Sequence, residues 1–183
     1  LKELGYRAPD FDFRLKGVSS ITIDPHKMGM APIPAGGILF RRIESLAAIG
    51  NHVTYLSGGP TLQTTLLATR PGAAAISVWA LLRLVGRRGF QRVVKRCMNL
   101  THLLYSKVSN VKGVKTLLHP TMNILGITST SMEPSLLAEA LRRRGWGLSL
   151  YPSHIRIVLM PHLRRVHIES FVKDLHEVVE ERS

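Results

Sequence analysis

The chain has 183 residues, 45% of them hydrophobic and 20% charged, with 15 Gly and 10 Pro, which excludes collagen-like and disordered classes and fits one domain, or one and a part. Lys and Arg number 25 against 12 Asp and Glu, a net charge of +13 that suits an anionic surface or a phosphorylated ligand. The basic residues are scattered as Arg41-Arg42, Arg87-Arg88, Arg142 to Arg144 and Arg164-Arg165, and aromatics make up only 6%, so no interleaved nucleic-acid face is expected.

No run reaches the ~20 apolar residues of a membrane span: the richest stretch, Gly72 to Val85, meets Arg83 and then Arg87 and Arg88. With no signal peptide at its start, the chain reads as soluble and cytoplasmic, without a membrane partner. The single cysteine, Cys97, falls at a helical apolar spacing and is expected to pack rather than react.

In chain order, Val18 to Asp24 and Gly36 to Arg41 read as two buried strands. Pro25, Pro32, Pro34 and Gly29 between them forbid a regular element and leave a stiff loop. From Arg42 to Leu67 the pattern is weak, and Ser57-Gly58-Gly59-Pro60 marks a loop. Thr69-Arg70-Pro71-Gly72 then opens an apolar segment, Ala73 to Val85, whose all-round hydrophobicity predicts a helix buried in a larger body. Gly86 breaks it, and Phe90, Val93, Val94, Cys97, Leu100, Leu104 and Val108 place a second, amphipathic helix after it.

The remainder alternates. Val114 to Leu118 and Met122 to Thr128 are predicted strands, and Pro134 to Arg144 a helix stopped by Gly145. Leu148 to Tyr151 and His154 to Met160 are predicted as short strands, and Ile168, Phe171, Val172, Leu175, Val178 and Val179 mark a closing helix. The pattern predicts a small α/β layer after a more apolar body.

Lys27 stands out chemically, because a lysine on a proline-held loop after a buried strand suits Schiff-base formation, partial burial leaving more of the amine neutral. Read alone, a surface lysine in a proline-rich turn is the better reading by about ten to one. The run Ser20-Ile-Thr-Ile-Asp-Pro-His-Lys-Met-Gly29, continued by Ala35-Gly-Gly-Ile-Leu-Phe-Arg41, resembles the cofactor-lysine region of group II pyridoxal-phosphate decarboxylases, and within them the archaeal tyrosine/aspartate decarboxylases. The resemblance implies that Lys27 carries pyridoxal 5'-phosphate and that His26 lies near the cofactor phosphate and the reacting centre.

Thr69-Arg70-Pro71-Gly72 resembles the turn that reaches the cofactor phosphate of a neighbouring subunit, with Ala68 where the family has Gly; a plain helix cap by Thr69 is the alternative. Ile155-Arg156-Ile157-Val158 resembles the small-domain strand whose arginine binds a substrate carboxylate. Alternation sets Arg156 apart from Ile155 and Ile157, and an edge-strand arginine paired with a local acid is the alternative. Tyr55 falls where related decarboxylases carry a loop with a proton-donating tyrosine. No metal-ligand spacing occurs among the eight histidines.

The resemblance implies an α/β chain forming the C-terminal part of a fold-type I pyridoxal-phosphate enzyme, with residues 1–86 ending the large domain and 87–183 forming a linking helix and small domain. It implies decarboxylation of tyrosine or aspartate, giving tyramine or β-alanine, in a homodimer with shared active sites. The family's ring-pairing Asp and ring-stacking His would come from a segment upstream of Leu1. The expectation is therefore a truncated or split enzyme, inactive and self-associating without an N-terminal piece. A carbon–carbon lyase of the sphingosine-phosphate lyase type and a non-catalytic basic binding or assembly module are the other readings.

Overall fold

The computed structural model describes residues 1–65, 67 and 70–181. The chain divides into two units, Pro9–Arg87 and a second made of Leu1–Ala8 with Arg88–Ser183.

In the first unit, β1 (Ser20–Ile23) and β2 (Gly37–Phe40) form an antiparallel hairpin with Ser20 opposite Phe40 and Ile23 opposite Gly37. Arg41 anchors the segment leading into it, its guanidinium donating to the carbonyls of Val18, Phe13 and Leu15 at 2.8, 2.8 and 2.6 Å. A second hairpin, β3 (Asn51–Val53) with β4 (Thr61–Gln63), lies inside the segment whose sequence shows little pattern. Neither hairpin has a third strand among the described residues. The expectation that β1 and β2 are buried is therefore corrected: Ile23, Ile38 and Leu39 remain exposed, because a two-stranded ribbon has no neighbour to cover its faces.

Helix α1 (Ala73–Val108) contains one non-helical residue, Gly86, at φ 60° and ψ 175°, the break that the sequence indicates and a backbone state open chiefly to glycine. Its Ala73 to Val85 portion is not buried as predicted, since Ile76, Trp79, Leu82 and Leu84 are all exposed. An apolar circumference shows that a helix needs cover. Among the described residues this one finds little.

The second unit is a four-stranded antiparallel sheet, in the order β5-β6-β8-β7, packed on helices: β5 (Val114–Thr116), β6 (Ile124–Ser129), β7 (Ser149–Tyr151) and β8 (His154–Val158). Leu125 and Ile127 of β6 and Ile155 of β8 point into the core, as period-two alternation requires. They meet Leu104 and Val108 of α1, Leu137 and Leu141 of α2 (Pro134–Arg143), and Phe171 and Leu175 of α3 (Arg165–Glu180).

Pro134 occupies the first turn of α2. At its other end Gly145 takes φ 92°, and the amide of Trp146 bonds back to Leu141 O at 3.1 Å, a left-handed glycine stop. Arg144, just past that end, reaches across to Glu177 and Glu181 of the α3 segment, and Trp146 Nε1 donates to Asp174 Oδ2 at 2.7 Å. Cys97 is buried in α1 as expected, with Thr101 Oγ1 donating to its carbonyl at 2.8 Å. Among the described residues no helix is long and apolar enough to cross a membrane, and no group of three or more His, Cys, Asp or Glu could hold a metal.

Candidate active site

The β1–β2 connection is ordered by its own backbone. Lys27 N donates to Asp24 O at 3.0 Å, Met30 N to Lys27 O at 3.0 Å, and Ala31 N to Pro25 O at 2.9 Å. Ala31 and Ala35 are buried against it. Gly29 is required by close approach: a Cβ there would stand 2.5 Å from the carbonyl oxygen of Pro25 and 2.9 Å from its Cα. Stacked turns thus hold Lys27 just beyond the end of β1.

His26 is fixed as well. Its Nδ1 lies 2.7 Å from Ala35 O, and a carbonyl can only accept, so Nδ1 carries a proton in that bond and Nε2 is the nitrogen not used in it. The imidazole is therefore oriented across the loop with one nitrogen free for a ligand.

Lys27 itself differs from expectation. Its side chain is 64% exposed and its Nζ lies 2.6 Å from Asp24 Oδ2, so an ion pair governs the amine where burial was predicted. The physical reason is the uncovered hairpin beneath it. The Lys27 hydrogen bond holds the Asp24 carboxyl below the usual carboxylate range, which keeps an anion beside the amine. Composition gives no hint of this pairing, but the i, i+3 spacing of Asp24 and Lys27 across a tight turn would.

Tyr55 lies on the connection between β3 and β4 and is 79% exposed. Arg70 is exposed and donates through Nη1 to Thr65 Oγ1. Thr69 lies outside the described residues.

Arg156 belongs to the second unit. It stands on the central strand β8, opposite Gly126 of β6 and Ser149 of β7, which corrects the alternative of an edge strand. The same alternation that buries Ile155 presents Arg156 on the opposite sheet face. Its Nε is buried with no hydrogen-bond partner among the described residues, and its guanidinium carbon lies 5.1 Å from the centroid of the Tyr151 ring. Tyr151 in turn stacks on His154, centroids 4.9 Å apart and planes 8° from parallel. Sequence reasoning did not single out Tyr151 or His154, although the four-residue Tyr-Pro-Ser-His segment between two predicted strands is the signal of a hairpin whose closing pair is aromatic.

The donor set of the β1–β2 loop fits pyridoxal phosphate, with a reachable primary amine and an oriented imidazole beside it. Comparison with known proteins agrees. The profile of the pyridoxal-dependent decarboxylase conserved domain matches residues 5–140. A probable L-aspartate decarboxylase of Thermococcus gammatolerans is 48% identical over 178 residues, which cover 97% of this chain and 46% of that protein. A probable L-tyrosine/L-aspartate decarboxylase of Methanothermobacter thermautotrophicus is 41% identical over 180 residues, 97% of this chain and 49% of that one. Among solved structures, the sphingosine-1-phosphate lyase of Burkholderia pseudomallei superposes with a TM-score of 0.86 at 28% identity, covering 99% of this chain and 42% of the lyase. The chain thus spans about half the length of the curated relatives it matches.

Proposed function

The chain belongs to the pyridoxal-dependent decarboxylase family, with the fold of the fold-type I pyridoxal-phosphate enzymes, and on that premise we propose that it forms the lysine-bearing part of an enzyme that decarboxylates an L-amino acid. L-Aspartate is the favoured substrate, giving β-alanine, because the relative at 48% identity is named for aspartate alone and the one at 41% for tyrosine and aspartate together. The observation that carries the reading is the Asp24-Pro25-His26-Lys27 turn, which holds a primary amine in reach of solvent beside an oriented imidazole.

In this reading Lys27 holds pyridoxal 5'-phosphate through Nζ, with His26 close to it and Thr69 and Arg70 contributing to the phosphate site. When bound, the cofactor supplies a ring that takes up the electron pair left behind as a carboxylate departs. Lys27 must first lose a proton to act as a nucleophile, and Asp24, held ionised, is the group beside it whenever it is protonated. Arg156 receives a substrate carboxylate in its planar fork, which supplies the acceptor its Nε lacks. After the bond to the departing carboxylate breaks and carbon dioxide leaves, a proton returns to the α-carbon from Tyr55 or from Nε2 of His26 in its protonated form. The working enzyme is a cytoplasmic homodimer with shared sites, the remainder of its large domain being supplied by a further segment.

A second reading, carbon–carbon lyase chemistry on the same lysine, draws support from the 0.86 TM-score against the sphingosine-phosphate lyase. The test of the first is to incubate the complete protein with pyridoxal phosphate, reduce with borohydride and map the peptides. The pyridoxyl group is expected on Lys27, and labelling confined to Lys95, Lys107 or another lysine overturns the assignment. Product analysis separates the readings: carbon dioxide and β-alanine from aspartate support decarboxylation, and an aldehyde product from a sphingoid phosphate supports the lyase.

A further inference from the structure

The β7–β8 hairpin register sets which side chains oppose one another, with Tyr151, His154, Ser149 and Arg156 on the sheet face opposite to that of Ile155. Tyr151 pairs with His154, Leu150 with Ile155 and Ser149 with Arg156. Tyr151 and Arg156 are therefore diagonal neighbours across β7 and β8, a separation that an aromatic and a long side chain can bridge. Of the residues directly opposite Arg156, Ser149 of β7 is small, whereas the Leu117 side chain stands over Gly126 on the β6 flank, so the room lies on the Ser149 side. The guanidinium can thus lie along the sheet.

A long arginine side chain has many rotamers to sample unless something holds it. Here the group 5.1 Å from the guanidinium carbon is the Tyr151 ring, whose quadrupole attracts a cation placed over its face. The ring is itself held, stacked on His154, which keeps Nδ1 3.0 Å from Ser153 Oγ in the turn. A chain of contacts runs from the hairpin turn through two rings to the guanidinium.

We propose that Tyr151 is the positioning residue for Arg156: its ring, and not its hydroxyl, holds the guanidinium in the orientation that accepts a carboxylate. This rests on the reading of Arg156 as the carboxylate-binding arginine. Tyr151 touches no reacting atom and acts through Arg156 alone. Loss of the ring leaves the charge in place and its aim unset.

The test is the rate at which phenylglyoxal modifies Arg156 in the complete protein, mapped by mass spectrometry, with and without L-aspartate as the protecting anion. Wild type is compared with Y151F, Y151L and Y151M, and Arg144, tied to Glu177 and Glu181, is followed in the same digests as a marker of an intact small domain. Y151L and Y151M are expected to raise the modification rate of unprotected Arg156 and to weaken protection by L-aspartate by about two- to thirtyfold, the span of a cation–π contact from exposed to desolvated. Y151F is expected to match wild type in both, and Arg144 to keep one rate throughout. Wild-type behaviour of Arg156 in both aliphatic variants overturns the proposal, as does a Y151F protein that behaves like Y151L. Where Arg144 labelling rises in one aliphatic variant, the other carries the comparison, and a rise in both assigns Tyr151 to the fold and overturns it too. Failure of L-aspartate to protect Arg156 even in wild type defeats the carboxylate reading of Arg156, whereas the rate without aspartate still decides whether Tyr151 holds it.

Discussion

Replacing Arg156 by Met should separate binding from stability, because the two respond to opposite features of its surroundings. Its Nε is buried without a hydrogen bond among the described residues, a burden of about 1–3 kcal/mol. Against that stands the contact with the Tyr151 ring, favourable by about 0.5–2 kcal/mol. Met removes both while keeping an unbranched apolar stem, so Arg156→Met is expected to leave the second unit between about 1 kcal/mol less stable and about 2.5 kcal/mol more stable than wild type. A carboxylate ligand loses its bidentate partner at the same time. That costs ~2–5 kcal/mol, roughly thirtyfold to several-thousandfold in affinity.

Urea unfolding followed by Trp146 fluorescence in a Trp79→Phe background reports this unit, since the two tryptophans lie in different units. Carboxylate affinity is read in parallel from substrate kinetics of the complete enzyme. Arg156→Lys should recover only part of the binding, as one ammonium cannot reproduce the fork. A fall in unfolding free energy of more than about 1 kcal/mol in Arg156→Met, the size of an ordinary structural contact, or unchanged kcat/KM, would refute the reasoning.

Gly29→Ala forces a Cβ to within 2.5 Å of the Pro25 carbonyl oxygen, and backbone cannot yield as a side-chain tip does; a cost of about 1–3 kcal/mol is expected. Faster amide exchange at Ala31, whose bond to Pro25 O closes the loop, and poorer pyridoxyl labelling of Lys27 are the readouts, and unchanged exchange contradicts the account. The Asp24 carboxyl is held low by its hydrogen bond from Lys27, so the pair is intact above the ordinary aspartate value of ~3.9 and is lost as pH falls through the depressed one. Carbonyl NMR titration should place the Asp24 midpoint below that of an unfolded reference, and Lys27→Met should return it to the ordinary range. Burial pushes the Cys97 thiol up, so a disulfide reagent at mildly alkaline pH should leave it unmodified until denaturant is added; rapid native-state reaction would contradict its packing role.

The parts of the fold legible in the sequence are those whose signals are local. Pro134 and Gly145 bracket α2, and the spacing of Ile168, Phe171, Leu175 and Val178 gives the buried stripe of α3. The β3–β4 hairpin was not legible. Its strands are three residues each, and Asn51, His52, Thr61 and Gln63 offer no apolar alternation, so their pairing rests on register alone. The Ala73 to Val85 segment shows the converse limit: its composition specifies what it must be packed against, and exposed Trp79 and Leu84 show that this cover is not among the described residues.

The same distinction runs through the candidate site. Lys27 and His26 are visible because the run that draws notice to them is local, and so is their setting, down to the carbonyl of Ala35 that fixes the imidazole. Arg156 is visible as one polar residue in an apolar strand, but its aim is not. That depends on a ring five residues earlier in sequence, brought diagonal to it only once the Pro152-Ser153 turn sets Ser149 opposite Arg156. A one-residue slip in that register would carry Tyr151 to the core face and leave the guanidinium unsupported. The turn that closes β7 onto β8 is thus part of what sets the guanidinium against the Tyr151 ring.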